Sequence, residues 1–251
     1  MCGEALPAAD DVDGLARAVD GVVVVGVAGA APGSAADGEI PVGRPTWWWE
    51  VGAVYPMYRS IVVFDVAGFG RLDNRAQLRV REALRGVVRG AFRAAGVRWW
   101  RLAVADRGDG LILVVPPSVS KAVLLDPLVP RLVAGLAARP EGVRLRMAVH
   151  AGDLDRDRHG WTGTDLVTAC RLVDSPELYR RLADRPDADL VVVVSDAVHR
   201  AVVRQGYGGL RAADFDPVRV VLKEVDEQAW VHVPDPRAAV PTRLGGARVG
   251  E

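Results

Sequence analysis

The chain has 251 residues, half of them hydrophobic and a quarter charged, which is a globular balance and excludes a disordered or fibrous chain. Its 32 basic and 32 acidic side chains give zero formal charge, which argues against a nucleic acid polymer as partner. At this length one domain with appendages can bury a full core.

Residues 1–57 read as an N-terminal extension and linker. An acidic start (Asp10, Asp11, Asp13, Asp20) leads into an apolar run at 21–31, of which 22–25 could form a strand. That run is shorter than the ~20 residues a bilayer needs, and the acidic lead has the wrong sign for a signal peptide. A cytoplasmic protein without membrane association is the expectation. Segment 28–45 is rich in Pro, Gly, Ala and Ser and buries little. Trp47, Trp48 and Trp49 follow and read as an anchor packed on the domain surface, a partner or ligand platform being the alternative.

A regular alternation begins after this. Segment 59–66 (RSIVVFDV) is a short apolar run, hence a buried strand. Leu84, Val87, Val88, Ala91, Phe92 and Ala95 recur at helical spacing with arginines on the other face, and Gly96 ends the helix. Segments 97–105 and 111–115 read as strands joined by the Gly/Asp turn 106–110. A helix follows at 119–138, where Pro130 is expected to put a kink, and then a strand at 143–150. The order so far is βαββαβ, the ferredoxin-like split unit of an α+β fold. Helices at 164–174 and 176–183, a strand at 190–194, a helix at 196–205 capped by Ser195, and strands at 218–223 and 229–233 extend it. Residues 58–233 thus form the main domain, with 234–251 a loose tail.

Cys2 and Cys170 are far apart and outside any CxxC pair, so neither a zinc site nor a disulfide framework is suggested. Only Lys121 and Lys223 are lysines, the other thirty basic residues being arginines, so a single arginine carries little information. His150 on an apolar strand reads as a core histidine. His159, His199 and His232 share no spacing and are assigned nothing.

Two carboxylates stand out by position. Asp65 closes an apolar strand, where an unpaired charge is costly. Asp109 lies in the turn between the next two strands. In a βαββαβ sheet the first and third strands are central neighbours, so both carboxylates fall at one end of adjacent strands. Paired oxygen ligands suit Mg²⁺, and two ions so held activate an attacking oxygen and steady a leaving pyrophosphate. For Asp109 a plain turn aspartate is the alternative. Gly68 and Phe69, between strand and helix, would let backbone N–H groups approach phosphate oxygens, or form an ordinary turn.

These residues carry a resemblance. FDVAGF at 64–69 resembles the F-D-I-x-G-F motif of class III nucleotidyl cyclases, the adenylate and guanylate cyclase family. RGDG at 107–110 resembles its G-D-G hairpin, MAVHAGD at 147–153 its G-I-H-x-G-E strand, and GTDLVTACRL at 163–172 its G-x-x-V-N-x-A-A-R-L helix. Together with the closing WVHVP, the turn and strand are similar to actinobacterial relatives of that family. The resemblance spans residues 58–233. It implies a phosphorus–oxygen lyase that converts a nucleoside triphosphate to a 3′,5′-cyclic nucleotide and pyrophosphate. It implies two Mg²⁺ or Mn²⁺ ions on Asp65, Asp109 and the Val66 carbonyl. Arg171 would stabilise charge on the α-phosphate and Lys223 would meet the outer phosphates. For each of these two cations a solvated surface role is the alternative. A head-to-tail homodimer is implied as well, with the metals on one subunit and the arginine on the other.

The match also departs from the family. The helix asparagine falls on Val167, the purine-reading lysine on Ala105, and the residue completing base recognition near Gly160 and Trp161. Losing these polar groups removes purine discrimination. An active cyclase of unusual base choice, with a pyrimidine stacked on Trp161, is one expectation. A cyclase-fold nucleotide-binding or regulatory protein without turnover is the alternative. A diguanylate-forming or polymerase-palm relative shares the core but calls for a GGDEF-like hairpin, where this chain has RGDGL.

Overall fold

The computed structural model describes residues 55–235. The expected strand at 22–25, the tryptophans at 47–49 and the tail beyond Asp235 lie outside those residues. The described chain is α+β. Its strands are β1 (Met57–Val66), β2 (Ala103–Asp106), β3 (Gly110–Val115), β4 (Leu145–Asp157), β5 (Gly160–Thr162), β6 (Leu190–Ser195), β7 (Asp216–Leu222) and β8 (Val225–His232). Its helices are α1 (Asn74–Ala94), α2 (Leu128–Ala137), α3 (Thr164–Val173), α4 (Pro176–Ala183) and α5 (Asp196–Val198), the last running into a π turn at His199–Val203.

The sheet order is β2-β3-β1-β4-β6-β8-β7, with β5 folding back on the end of β4. β4 and β6 are parallel, and the other neighbours are antiparallel. As expected for βαββαβ, β1 is flanked by β3 and β4 at the centre.

Strand alternation divides the core into two layers. Val62, Phe64 and Val66 of β1 face α1 and α2, against Leu84, Phe92, Leu128 and Leu132. Ile61 and Val63 face the other way, against Leu166, Leu172 and Val173 of α3 and Leu178 and Leu182 of α4. By the same alternation Asp65 lies on the α3/α4 side. β4 places Ala148 on that side too, and Arg146 and His150 share its parity.

Several boundaries differ from the sequence expectation. Trp99–Arg101 is a 3-10 turn, so β2 is shorter than the apolar run, because Trp99 packs edge-on against Phe92 instead of entering the sheet. Residues 119–127 form turns, and α2 starts at Leu128. Pro130 therefore sits in the first helical turn, where its missing N–H has no partner to lose, and no mid-helix kink arises. β4 runs on past His150 and pairs with β5 as an arm.

Gly110 opens β3 directly opposite Asp65. A Cβ there would lie 2.1 Å from the Phe64 carbonyl oxygen, a backbone atom that cannot step aside. Gly110→Ala should therefore cost about 3 kcal/mol or more by overpacking. A urea midpoint unchanged from wild type would refute that close approach.

His199 and His232 build an aromatic ladder under β8. His199 stacks on Trp230 with centroids 3.7 Å apart, and Phe215 stacks on His232 at 4.9 Å. Burial holds both histidines below their usual pKa. The unfolded chain then binds more protons than the fold below pH ~6.5, so this stabilisation is complete above that pH and falls on acidification. Urea unfolding at pH 7.5 and 5.5 should show wild type losing more stability on acidification than His199→Phe, which keeps the stack. Equal losses would overturn the assignment.

Candidate active site

Asp65 is the penultimate residue of β1 and 7% exposed. Burial raises its pKa to about 6, Arg146 opposes the rise, and Asp109 and Asp174 add to it. Directly across the β1–β4 register stands Arg146, itself 6% exposed. Its Nη2 donates to Asp65 Oδ2. The guanidinium lies 3.7 Å above the Tyr179 ring of α4, and its Nε is buried without a hydrogen-bond partner.

Asp109 lies in the β2–β3 turn, half-buried. Its carbonyl accepts the Val66 N–H at 2.9 Å, which ties the turn to the end of β1. Asp65, Asp109 and Asp174, which caps α3, are close enough for charge repulsion. Burial raises the Asp174 pKa, and Arg107, 3.8 Å away, opposes the rise.

A divalent cation suits this donor set. Asp65 and Asp109 offer hard oxygens at one sheet end, where buried, mutually repelling carboxylates gain most from a cation. Among the described residues no cluster of three or more His, Cys, Asp or Glu side chains forms a metal site. Asp65 and Asp109 would therefore need backbone oxygen, solvent or substrate phosphate to complete a shell. Val66 is buried at the end of β1, beside both. Arg146 now takes the place of a counter-cation on Asp65.

Gly68 has φ 74° and opens the 3-10 turn Phe69–Arg71. Space around its Cα is open and Phe69 packs on the core. A left-handed glycine here lets the chain leave β1 and turn toward α1 with exposed backbone.

Arg171 reaches the other way, toward the β7–β8 turn, although its charge still acts on Asp174. It is 7% exposed on α3, and its Nε donates to Glu224 Oε1 at 3.0 Å. Glu224 and Lys223 form the β7–β8 turn, with Lys223 exposed at φ 52°. The strand registers put this turn beyond the Ser195 end of β6, whereas Asp65 sits level with the Leu190 end. The structure thus gathers Asp65, Val66 and Asp109 into one cluster and places Lys223 in the distant β7–β8 turn, with Arg171 reaching toward that turn from a position where its charge still acts on Asp174.

Ala105 is buried in β2 and offers no polar side-chain atom. Val167 is half-buried on α3. Trp161, on β5, is covered by cations: the guanidinium carbons of Arg59 and Arg156 lie 4.9 and 5.5 Å from its ring. A base stacked on that ring would compete with those arginines. His150 is a partnered core histidine, with Nε2 2.9 Å from Asp165 Oδ1.

Sequence reasoning missed Arg146 and Asp174. The available signal for Arg146 was a lone charge inside the apolar run LRMAV, hidden by the arginine-rich composition.

No family model and no curated protein matches this sequence. Solved structures do match. An adenylate/guanylate cyclase/hydrolase from Silicibacter pomeroyi is 19% identical, with a TM-score of 0.52 over 72% of this chain and 98% of that one. The catalytic core of a rhodopsin-guanylyl cyclase with converted specificity, in complex with ATPαS, is 14% identical, with a TM-score of 0.49 over 71% and 97%. The guanylate cyclase domain of a protein from Catenaria anguillulae, in complex with GTP, is 14% identical, with a TM-score of 0.48 over 71% and 97%. The described chain has the α+β fold of an adenylate/guanylate cyclase catalytic domain. Among the described residues no helix is long and apolar enough to cross a membrane.

Proposed function

We propose that the chain is a nucleotidyl cyclase that converts a nucleoside triphosphate to a 3′,5′-cyclic nucleotide and pyrophosphate. The observation that carries this reading is the buried Asp65 beside Asp109 at one end of the central strands, on a cyclase fold. A buried carboxylate with its pKa lifted to about 6 at such a site supports a functional role for it.

In this reading Asp65, Asp109 and the Val66 carbonyl would hold two Mg²⁺ or Mn²⁺ ions, which would supply charge neutralisation and acidify the ribose hydroxyl. Arg146, with its Nε unpartnered beside Asp65, would offer that N–H to a phosphate oxygen. The exposed backbone around Gly68 and Phe69 receives phosphate oxygen by N–H donation. The bond from the 3′-oxygen to the α-phosphorus forms as the bond to pyrophosphate breaks, and the hydroxyl proton leaves on pyrophosphate. Arg171 stabilises the charge on the α-phosphate, and Lys223 meets the outer phosphates. Because Arg171 is paired with Glu224 and not with the Asp65 site of its own chain, two copies packed head to tail complete each site. The setting is cytoplasmic.

A second reading has its own observation. Asp65 is held by Arg146 and Arg171 by Glu224, so both key groups are already paired, as in a nucleotide-binding regulator without turnover. Incubation with Mn²⁺ and ATP, GTP, CTP and UTP, followed by mass spectrometry, decides between the two. Cyclic monophosphate with release of pyrophosphate supports the cyclase. Nucleotide binding with neither product supports the regulator.

A further inference from the structure

We propose that Asp106 is a positioning residue, part of an ionic clamp that fixes the turn carrying Asp109 from both faces of the sheet. The inference rests on the metal-binding reading of Asp65 and Asp109. Asp106 ends β2 and Arg107 begins the turn, and their contacts lie on opposite layers. Asp106 turns to α1, where Arg81 Nη2 donates to its Oδ2 at 3.0 Å and Arg85 Nε at 3.1 Å. Arg81 and Arg85 are one helical turn apart, so a single straight helix face presents both. Arg107 turns to α3, where its Nη2 lies 3.8 Å from Asp174 Oδ2.

The same Asp106 carboxylate shapes the turn from inside. Its Oδ1 accepts the Gly108 N–H at 2.6 Å, and the Arg107 N–H closes the turn on the Gly110 carbonyl at 3.0 Å. Turn formation needs only that inner bond, since an aspartate side chain often caps its own turn. The two α1 arginines are therefore additional. They converge on a side chain that is 18% exposed, although the arginines themselves are 41% and 52% exposed, so the clamp's strength comes from two donors on one carboxylate and not from burial. Burial pushes the Asp106 carboxyl up, but Arg85, Gly108 and Arg81 outweigh it and hold the group ionised, below the usual carboxylate range.

The mechanical result is a short turn tethered to a helix on each face of the sheet, with Asp109 two residues beyond the second tether. A carboxylate so held loses less freedom when it takes a cation, and that saving enters the metal affinity. Residues that orient ligands in this way are worth 10–100-fold in metal affinity or activity.

The test uses the full chain as wild type, Arg81→Ala/Arg85→Ala and Arg81→Lys/Arg85→Lys. Free Mn²⁺ is titrated by its electron paramagnetic resonance signal, and amide hydrogen exchange is followed at residues 106–110. The alanine pair should bind Mn²⁺ about tenfold more weakly or worse. Its turn amides should exchange faster while those of β3 do not change. In turnover, the Mn²⁺ concentration for half-maximal rate should rise and the nucleotide KM at saturating Mn²⁺ should stay. The lysine pair should recover most of the Mn²⁺ affinity, which a loss of packing alone would not allow. Equal Mn²⁺ affinity in wild type and the alanine pair overturns the clamp and leaves the metal reading standing. A wild type that binds no Mn²⁺ overturns the metal reading and the positioning role with it.

Discussion

Asp65→Asn should lower cyclic nucleotide formation by at least about a thousandfold, about 4 kcal/mol of transition-state stabilisation. An amide oxygen is a neutral, weaker ligand, so the cations that would offset the triphosphate would be held less well. The substitution also leaves the buried Arg146 facing an amide, which carries a stability cost of its own. Asp109→Asn removes a ligand that is half-buried and has no such partner, so it separates loss of function from loss of fold. Both proteins should keep the wild-type circular dichroism spectrum, and both should be inactive. Turnover within tenfold of wild type in either would overturn the metal assignment.

The same variants test the two-chain site. Arg171→Ala alone should also be inactive. Mixed in equal amounts with Asp65→Asn, it should restore about a quarter of wild-type activity, because random pairing makes half the dimers mixed, each with one intact site of two. No recovery after subunit exchange would show that Asp65 and Arg171 do not serve a shared site across two chains.

The second large effect concerns the base. A site built to hydrogen-bond a base rejects the wrong one by 10⁴–10⁵, because buried polar groups are otherwise left unpaired. Ala105 is buried and apolar, so the position expected to read a purine contributes no such group, while Val167 offers none to the ribose. The kcat/KM values for ATP, GTP, CTP and UTP should therefore fall within about tenfold of one another. Competition between pairs of nucleotides, with both products quantified by mass spectrometry, measures the ratios directly. A preference above a thousandfold for one base would mean that other polar groups read it. Trp161→Ala adds a separate check. If a base displaces Arg59 and Arg156 from that ring, the variant should raise the nucleotide KM.

Much of the fold was legible because its signals are local. The apolar run at 59–66 reads as a strand without knowledge of its neighbours, and the helical spacing through Phe92 reads as α1. The Gly/Asp connection at 106–110 reads as a turn from composition alone. Where local signals competed, the reading went astray. The run from Val97 is apolar enough for a strand, yet Trp99 leaves the sheet to meet Phe92. The pattern from Val119 suggests a helix, yet α2 begins nine residues later.

By itself, then, the sequence determined the α+β order and the position of Asp65 and Asp109 at the ends of adjacent central strands. Periodicity and turn chemistry act over a few residues, so one chain suffices to read them. Only the tertiary structure decided what those carboxylates face. Arg146 meets Asp65 across 81 positions of sequence because antiparallel register sets β4 against β1. Arg81 and Arg85 meet Asp106, and Arg107 meets Asp174, because a sheet with helices on both faces brings α1 and α3 to one turn. Thirty arginines offered thirty candidates for these roles, and packing geometry selected the four that take them.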